Sequence, residues 1–148
     1  MNARADFYKA SSAALQAMVN LETVVKKLGI EPLLLELIKL RASQINGCAF
    51  CVDLHTADAR KAGESERRLY AASVWRETPF FTERERAALA WTEALTLLPE
   101  THAPDADYQG LAAQFTEPEM VNITLAICTI NSWNRLSVGF RKMPAGLG

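Results

Sequence analysis

The sequence has no excess of charge of either sign, because 16 Lys and Arg residues are balanced by 17 Asp and Glu residues. Nucleic acids and anionic membrane surfaces select strongly basic faces, so this balance argues against both as partners. The sequence also lacks an apolar run long enough to cross a bilayer or to form the core of a signal peptide. We therefore expect a cytoplasmic protein that binds neither nucleic acid nor membrane.

Cysteine is scarce, with three residues among 148, which excludes a small fold stapled by disulfides. The hydrophobic fraction of 49% and the charged fraction of 22% are ordinary for a globular protein and argue against disorder. The length suits one folding unit, and we expect residues 1–148 to form a single domain. In a reducing cytoplasm, two cysteines close together are more often catalytic or metal-binding than structural.

Helix signals run through nearly the whole chain, and no alternating strand pattern of useful length interrupts them. Pro32 and Cys48 begin two successive helices that are separated by an Asn-Gly break. Complete capping boxes at 82–85 and 116–119 begin two further helices. The segment 99–107, which contains prolines and acidic residues, is predicted to be a loop. The fold class is therefore all-α, with about six or seven helices in a bundle.

Cys48, Cys51 and His55 are spaced so that they share one face of a helix. Side chains three residues apart have Cβ atoms about 5–6 Å apart, and a small backbone adjustment brings two such sulfurs within disulfide reach. The first turn of a helix offers unpaired N–H groups and the positive end of the dipole, which favour a thiolate. His55 lies one turn beyond Cys51, where it can take the thiol proton. The pattern predicts a dithiol–disulfide cycle that begins with thiolate attack on a peroxide.

Two other interpretations of these residues remain open. Buried cysteines are often inert core residues, and a CxxC motif followed by a histidine also supplies three zinc ligands. The other histidine, His102, lies in the distant acidic loop and is expected to be exposed, so it offers no fourth ligand. Cys128 has apolar neighbours in the last helix and is predicted to belong to the core.

The segment from Glu36 to His55 resembles the alkylhydroperoxidase AhpD-like, carboxymuconolactone decarboxylase family. It matches the family signature E-x(11)-C-x-x-C-x-x-x-H at every position. The segments 58–63 and 130–135 are also similar, so the resemblance covers most of the chain. It implies an AhpD-like helical bundle that forms a homo-oligomer, either a trimer or a hexamer. The decarboxylase branch needs no cysteine pair, so the CxxC motif argues for the peroxidase branch.

The resemblance also implies a role for each residue. Cys51 corresponds to the peroxidatic cysteine and Cys48 to its resolving partner, while His55 and Glu36 correspond to the proton relay. The implied activity is that of an antioxidant peroxidase for hydrogen peroxide or organic hydroperoxides, with no metal or bound cofactor and an external dithiol reductant of the dihydrolipoamide or thioredoxin type. Phe50 stands where the best-studied branch has another relay histidine. The alternative is therefore a thiol–disulfide oxidoreductase or redox sensor with weak peroxidase activity.

Overall fold

The computed structural model describes residues 2–146, and its regular secondary structure there is entirely helical, which confirms the all-α prediction. Within these residues there are nine α-helices and one 3-10 helix. The α-helices are α1 (Phe7–Ala10), α2 (Ser12–Lys26), α3 (Pro32–Ile45), α4 (Ala49–Lys61), α5 (Glu66–Ala71), α6 (Glu83–Thr96), α7 (Leu98–Thr101), α8 (Asp105–Ala112) and α9 (Glu117–Phe140), and the 3-10 helix, Ala72–Glu77, follows α5 directly. The ends of the predicted domain, residues 1 and 147–148, lie outside the described residues, and the single-domain assignment stays a prediction.

The helix count exceeds the predicted six or seven because short helices occupy segments that were expected to be irregular. The predicted loop at 99–107 is wrong, since α7 covers its start and α8 begins inside it. Its two prolines are compatible with helix because Pro99 lies in the first turn of α7 and Pro104 is the N-cap of α8. Neither position needs a backbone N–H donor inside a helix, so proline does not break one there.

Helix α3 is the central element and packs against α4, α6 and α9. Leu37, Ile38 and Leu40 are each fully buried, and the helix buries side chains on nearly all of its faces. Each such side chain contributes about 1.5–3 kcal/mol of hydrophobic stabilisation relative to exposure. Because α3 is enclosed, any polar side chain on it must find its partner inside the protein.

Three asparagines hold the turn between α3 and α4 against the last helix. Asn46 donates from Nδ2 to Oδ1 of Asn131 at 3.0 Å and to Oδ1 of Asn134 at 2.9 Å. Asn134 in turn donates to the hydroxyl of Ser43 at 3.0 Å. Gly47 completes the turn with φ of +65°, a conformation that side chains with a Cβ rarely adopt. This network fixes the point at which α4 begins.

The N-terminal segment lies across the end of α9. Arg4 donates its backbone N–H to the carbonyl of Phe140 at 3.0 Å, and its guanidinium donates to the carbonyl of Gly139. Phe7 is buried and its ring lies 6.0 Å from that of Phe140. Helix α1 is thereby held against the C-terminal end of α9. Across the described part of the chain, no helix is long and apolar enough to cross a bilayer.

Candidate functional site

Cys48 and Cys51 form a disulfide across the first turn of α4, with their Cα atoms 5.3 Å apart. Cys48 is the N-cap residue, and its sulfur accepts the backbone N–H of Cys51 at 3.2 Å. The predicted meeting of two sulfurs at a helix start is confirmed. In this disulfide form neither sulfur is a thiolate, so the pair does not present the ligand set that a zinc site would need.

His55 faces Glu36 across the contact between α4 and α3. Its Nδ1 lies 2.9 Å from Oε2 of Glu36, and the His55 residue is only 8% exposed. A carboxylate anion can only accept a hydrogen bond, so this contact favours the imidazole tautomer with its proton on Nδ1 and the lone pair on Nε2. Proton exchange with a substrate or thiol therefore falls to Nε2. The carboxylate fixes the ring's tautomer and orientation.

A cavity of about 170 Å³ brings these groups together. Glu36, His55 and Cys51 all line it, together with the apolar side chains of Phe50 and Leu54. Cys48 is not part of the lining and is 1% exposed, so it lies behind Cys51 when viewed from the cavity. Of the four residues predicted for the site, the structure brings three to one cavity and bonds the fourth to one of them.

The wall of the cavity also carries a buried ion pair that the sequence does not predict. Lys39 of α3 is 1% exposed, and its ammonium contacts the carboxylate of Glu22 on α2. Glu22 also accepts the indole N–H of Trp133 at 3.2 Å. A lysine inside the apolar run of α3 was a visible signal, but nothing in the sequence indicates that its partner lies on α2.

Tyr8 and Phe50 form the rim of the cavity near the N-terminal segment. The ammonium of Lys142 lies 4.3 Å from the ring centroid of Tyr8 and 5.2 Å from that of Phe50. Burial raises the pKa of the Tyr8 hydroxyl, and the carboxylate of Asp6 adds to this shift. Tyr8 therefore stays protonated at neutral pH and can donate a hydrogen bond.

Asp58 lies one turn beyond His55 on α4 and completes a cluster with it and Glu36. The three residues each offer a ligand atom, and these atoms lie within 4.8 Å of one another. Histidine and carboxylate groups are donors that a divalent cation can use. The hydrogen bond between Glu36 and His55 already accounts for their approach, so the geometry requires no metal.

Two residues singled out by the sequence lie outside the site. Cys128 is exposed on α9, which corrects its assignment to the core. Its neighbour Ile127 is 1% exposed, but successive helical residues point about 100° apart, so a buried neighbour in the sequence does not place Cys128 in the core. His102 is exposed, as expected, and ends α7 with a left-handed backbone conformation.

Residues 12–94 match the family model described as the carboxymuconolactone decarboxylase family. The chain belongs to this family. The matched region contains the cysteine pair, Glu36 and His55, so the resemblance found in the sequence is confirmed. It also includes all of α3 and α4, the two helices that supply these four residues.

Known relatives extend the similarity of this carboxymuconolactone decarboxylase family member to its whole length. The uncharacterized protein YdfG of Bacillus subtilis is 41% identical over 145 residues, which cover 98% of this chain and 99% of YdfG. A crystal structure of ATU0492 from Agrobacterium tumefaciens superimposes with a TM-score of 0.97 at 48% identity, over 99% of this chain and 100% of that one. ATU0492 is described as a protein of unknown function for which a role as the antioxidant defence protein AhpD is suggested. The alkyl hydroperoxide reductase AhpD of Hyphomonas neptunium is 41% identical over 49 residues, or 33% of this chain and 27% of that protein.

Proposed function

We propose that this chain is a thiol-dependent peroxidase that reduces hydrogen peroxide or organic hydroperoxides through a Cys48–Cys51 dithiol–disulfide cycle. The observation that carries the proposal is the position of Cys51, which lines the same cavity as the hydrogen-bonded pair of Glu36 and His55. A substrate in this cavity meets Cys51 first and finds a base beside it. The similarity to a protein named alkyl hydroperoxide reductase AhpD supports the same chemistry.

The first half of the proposed cycle oxidises the two thiols. His55 takes the thiol proton of Cys51 at Nε2, and the resulting thiolate attacks one peroxide oxygen. The S–O bond forms, the O–O bond breaks, and the departing oxygen takes the proton to leave as water or an alcohol. Cys48 then attacks the sulfenic sulfur of Cys51, which forms the disulfide and releases water. Glu36 holds the Nδ1–H of His55 throughout.

The second half of the cycle needs an external dithiol, for which we propose a reductant of the dihydrolipoamide or thioredoxin type. One of its thiolates attacks the disulfide to form a mixed disulfide, and its second thiolate closes to release both cysteines in reduced form. The proposed cycle uses no metal or bound cofactor. It requires a reducing compartment, which is the basis for proposing a cytoplasmic location.

The direct test follows peroxide consumption by the reduced protein in the presence of dihydrolipoamide or a thioredoxin-type reductant. We expect Cys51→Ser to abolish consumption and Cys48→Ser to leave a trappable sulfenic acid on Cys51, because its resolving thiol is gone. Cys128→Ser is the matched control, since this exposed thiol lies outside the site and its loss leaves turnover unchanged. An unchanged rate in Cys51→Ser would show that the assignment is wrong.

The second candidate function is thiol–disulfide exchange with weak peroxidase activity, and Phe50 is the observation that favours it. Phe50 lines the cavity and cannot relay a proton. Peroxide reactivity and disulfide exchange should be measured on one preparation, alongside the variant Phe50→His. Faster peroxide reduction in this variant would indicate that the wild-type chain is limited by its missing relay group and is tuned for exchange.

We also propose that the chain forms a homo-oligomer, either a trimer or a hexamer. Apolar side chains on the outer faces of α8 and α9 support this, since Tyr108 is 48% exposed and Val121 is 67% exposed. Clustered apolar surface of this kind is a common feature of subunit contacts. Light scattering at micromolar concentration tests the proposal, and a monomeric mass would contradict it.

A further inference from the structure

Lys39 carries a positive charge into the interior, and the proposed cycle does not use it. Its neighbours Ile38 and Leu40 are fully buried, and Lys39 itself is 1% exposed. Removing an ammonium from water is unfavourable unless it is paired, and its salt-bridge partner among the described residues is Glu22. The carboxylate of Glu22 on α2 therefore compensates for the burial of the Lys39 ammonium.

The position of this pair in the cavity wall distinguishes it from an ordinary structural ion pair. Lys39 and Glu22 both line the cavity of about 170 Å³ that Cys51 also lines. The indole N–H of Trp133 binds the second oxygen of Glu22 at 3.2 Å, so the carboxylate is held from two sides. Because Lys39 is 1% exposed, water screens its charge less than that of an exposed lysine on the same cavity.

We propose that Lys39 is a positioning residue that acts as the electrostatic counter-ion of the Cys51 thiolate in the reduced protein, and that Glu22 limits the strength of its effect. The inference rests on the proposed function in one respect, namely that Cys51 is the reacting thiol. Reduction of the disulfide places a negative sulfur at the cavity wall. A buried ammonium on the same cavity stabilises that anion relative to the neutral thiol.

The other charged groups around the cavity act on the same thiolate. Three carboxylates face the cavity, those of Glu22, Glu36 and Asp58. The ammonium groups of Lys26 and Lys39 also face it, and that of Lys142 lies at its rim. The remaining titratable side chains are those of Tyr8 and His55. The carboxylates disfavour a thiolate. Lys26 is exposed, so water and salt screen its charge, whereas the charge of Lys39 is shielded from both.

Two variants separate this electrostatic role from a structural one. Lys39→Met leaves the carboxylate of Glu22 unpaired at the cavity and raises the pKa of the Cys51 thiol. Glu22→Gln leaves the ammonium of Lys39 unpaired and lowers that pKa, while keeping the shape of the side chain. Both variants break the same ion pair, so a structural role predicts a similar loss of stability and no opposite shifts. The double variant removes both charges and should return the pKa towards the wild-type value.

The measurement is the rate of iodoacetamide alkylation against pH, in a Cys48→Ser, Cys128→Ser background in which Cys51 is the remaining thiol. Serine is also a good N-cap, so α4 keeps its start in this background. We expect the midpoint of this pH profile, which reports the pKa of the Cys51 thiol, to rise by about one pH unit or more in Lys39→Met and to fall in Glu22→Gln. Arg41→Met is the matched control, because Arg41 pairs with Glu93 on the other side of α3 and does not line the cavity.

Midpoints that stay unchanged, or that move in the same direction in Lys39→Met and Glu22→Gln, overturn the inference. If Lys39→Met does not fold, Glu22→Gln alone still tests the inference. An alkylation midpoint that stays at or above the wild-type value in Glu22→Gln would contradict it, because Glu22 would then not be limiting the effect of Lys39. Alkylation requires no peroxide turnover. Opposite shifts without peroxidase activity would therefore support the role of Lys39 and contradict only the proposed function.

Discussion

Replacing Glu36 with glutamine tests whether the carboxylate behind His55 contributes to the reactivity of Cys51. The substitution keeps the length of the side chain and an oxygen that can accept the Nδ1–H of His55, which lies 2.9 Å from the present carboxylate oxygen. It removes the negative charge that stabilises the imidazolium formed when His55 takes a proton. The orientation of the ring is retained, so the loss is mainly electrostatic.

The size of the effect follows from the kind of hydrogen bond that is lost. Hydrogen bonds to charged groups contribute about 1.5–3 kcal/mol, compared with about 1 kcal/mol for neutral pairs. The difference is about 0.5–2 kcal/mol. Because about 1.4 kcal/mol corresponds to a factor of ten in rate, its loss predicts a rate constant that falls by about 2- to 30-fold. The side chains of His55 and Glu36 are 10% and 13% exposed, so solvent does not replace the lost charge effectively.

The assay is the second-order rate constant for oxidation of the reduced protein by peroxide, measured by rapid mixing in single turnover. Glu93→Gln is the matched control, because Glu93 is another enclosed carboxylate, bound to Arg41 and Trp75, that lies outside the cavity. We expect the control to lose stability and keep its rate. An unchanged rate in Glu36→Gln, or an equal loss in both variants, would refute the relay argument.

Two further predictions concern the scaffold that holds the site. Asn134→Ala removes the buried donor to Ser43 and an acceptor for Asn46, so the free energy of unfolding measured in urea should fall by about 1–3 kcal/mol. A loss of stability no greater than in the control variant Ser132→Ala would contradict the role of this network. Burial would raise the pKa of Glu93, but hydrogen bonds from arginine and tryptophan side chains outweigh it and lower the pKa below its ordinary value of 4.5. Its ionised form therefore stabilises the fold fully above pH 4.5, and this contribution is lost as the pH falls through the lowered pKa. In Glu93→Gln the acid-dependent part of the unfolding free energy should shrink, and an unaltered pH profile would contradict this.

The features that the sequence does not predict have physical causes that can be assigned to particular residues. The apolar neighbours of Cys128 predict a core position, but the helical face that a residue occupies depends on which side of α9 meets the protein. Helices α1 and α7 each have four residues, too few to show a hydrophobic period. Glu36 could be singled out only through family resemblance, since a single acid in a helix carries no local signal of its partner.

The helical class and the meeting of Cys48 with Cys51 can be predicted from the sequence, because both follow from local periodicity, capping and spacing within one turn. The arrangement of Glu22 of α2, Lys39 of α3 and His55 of α4 around one cavity cannot be predicted in this way. Side chains that are 17 residues apart, as Glu22 and Lys39 are, meet through the packing of whole helices. That packing reflects the burial of many apolar side chains at once, and no local pattern encodes it.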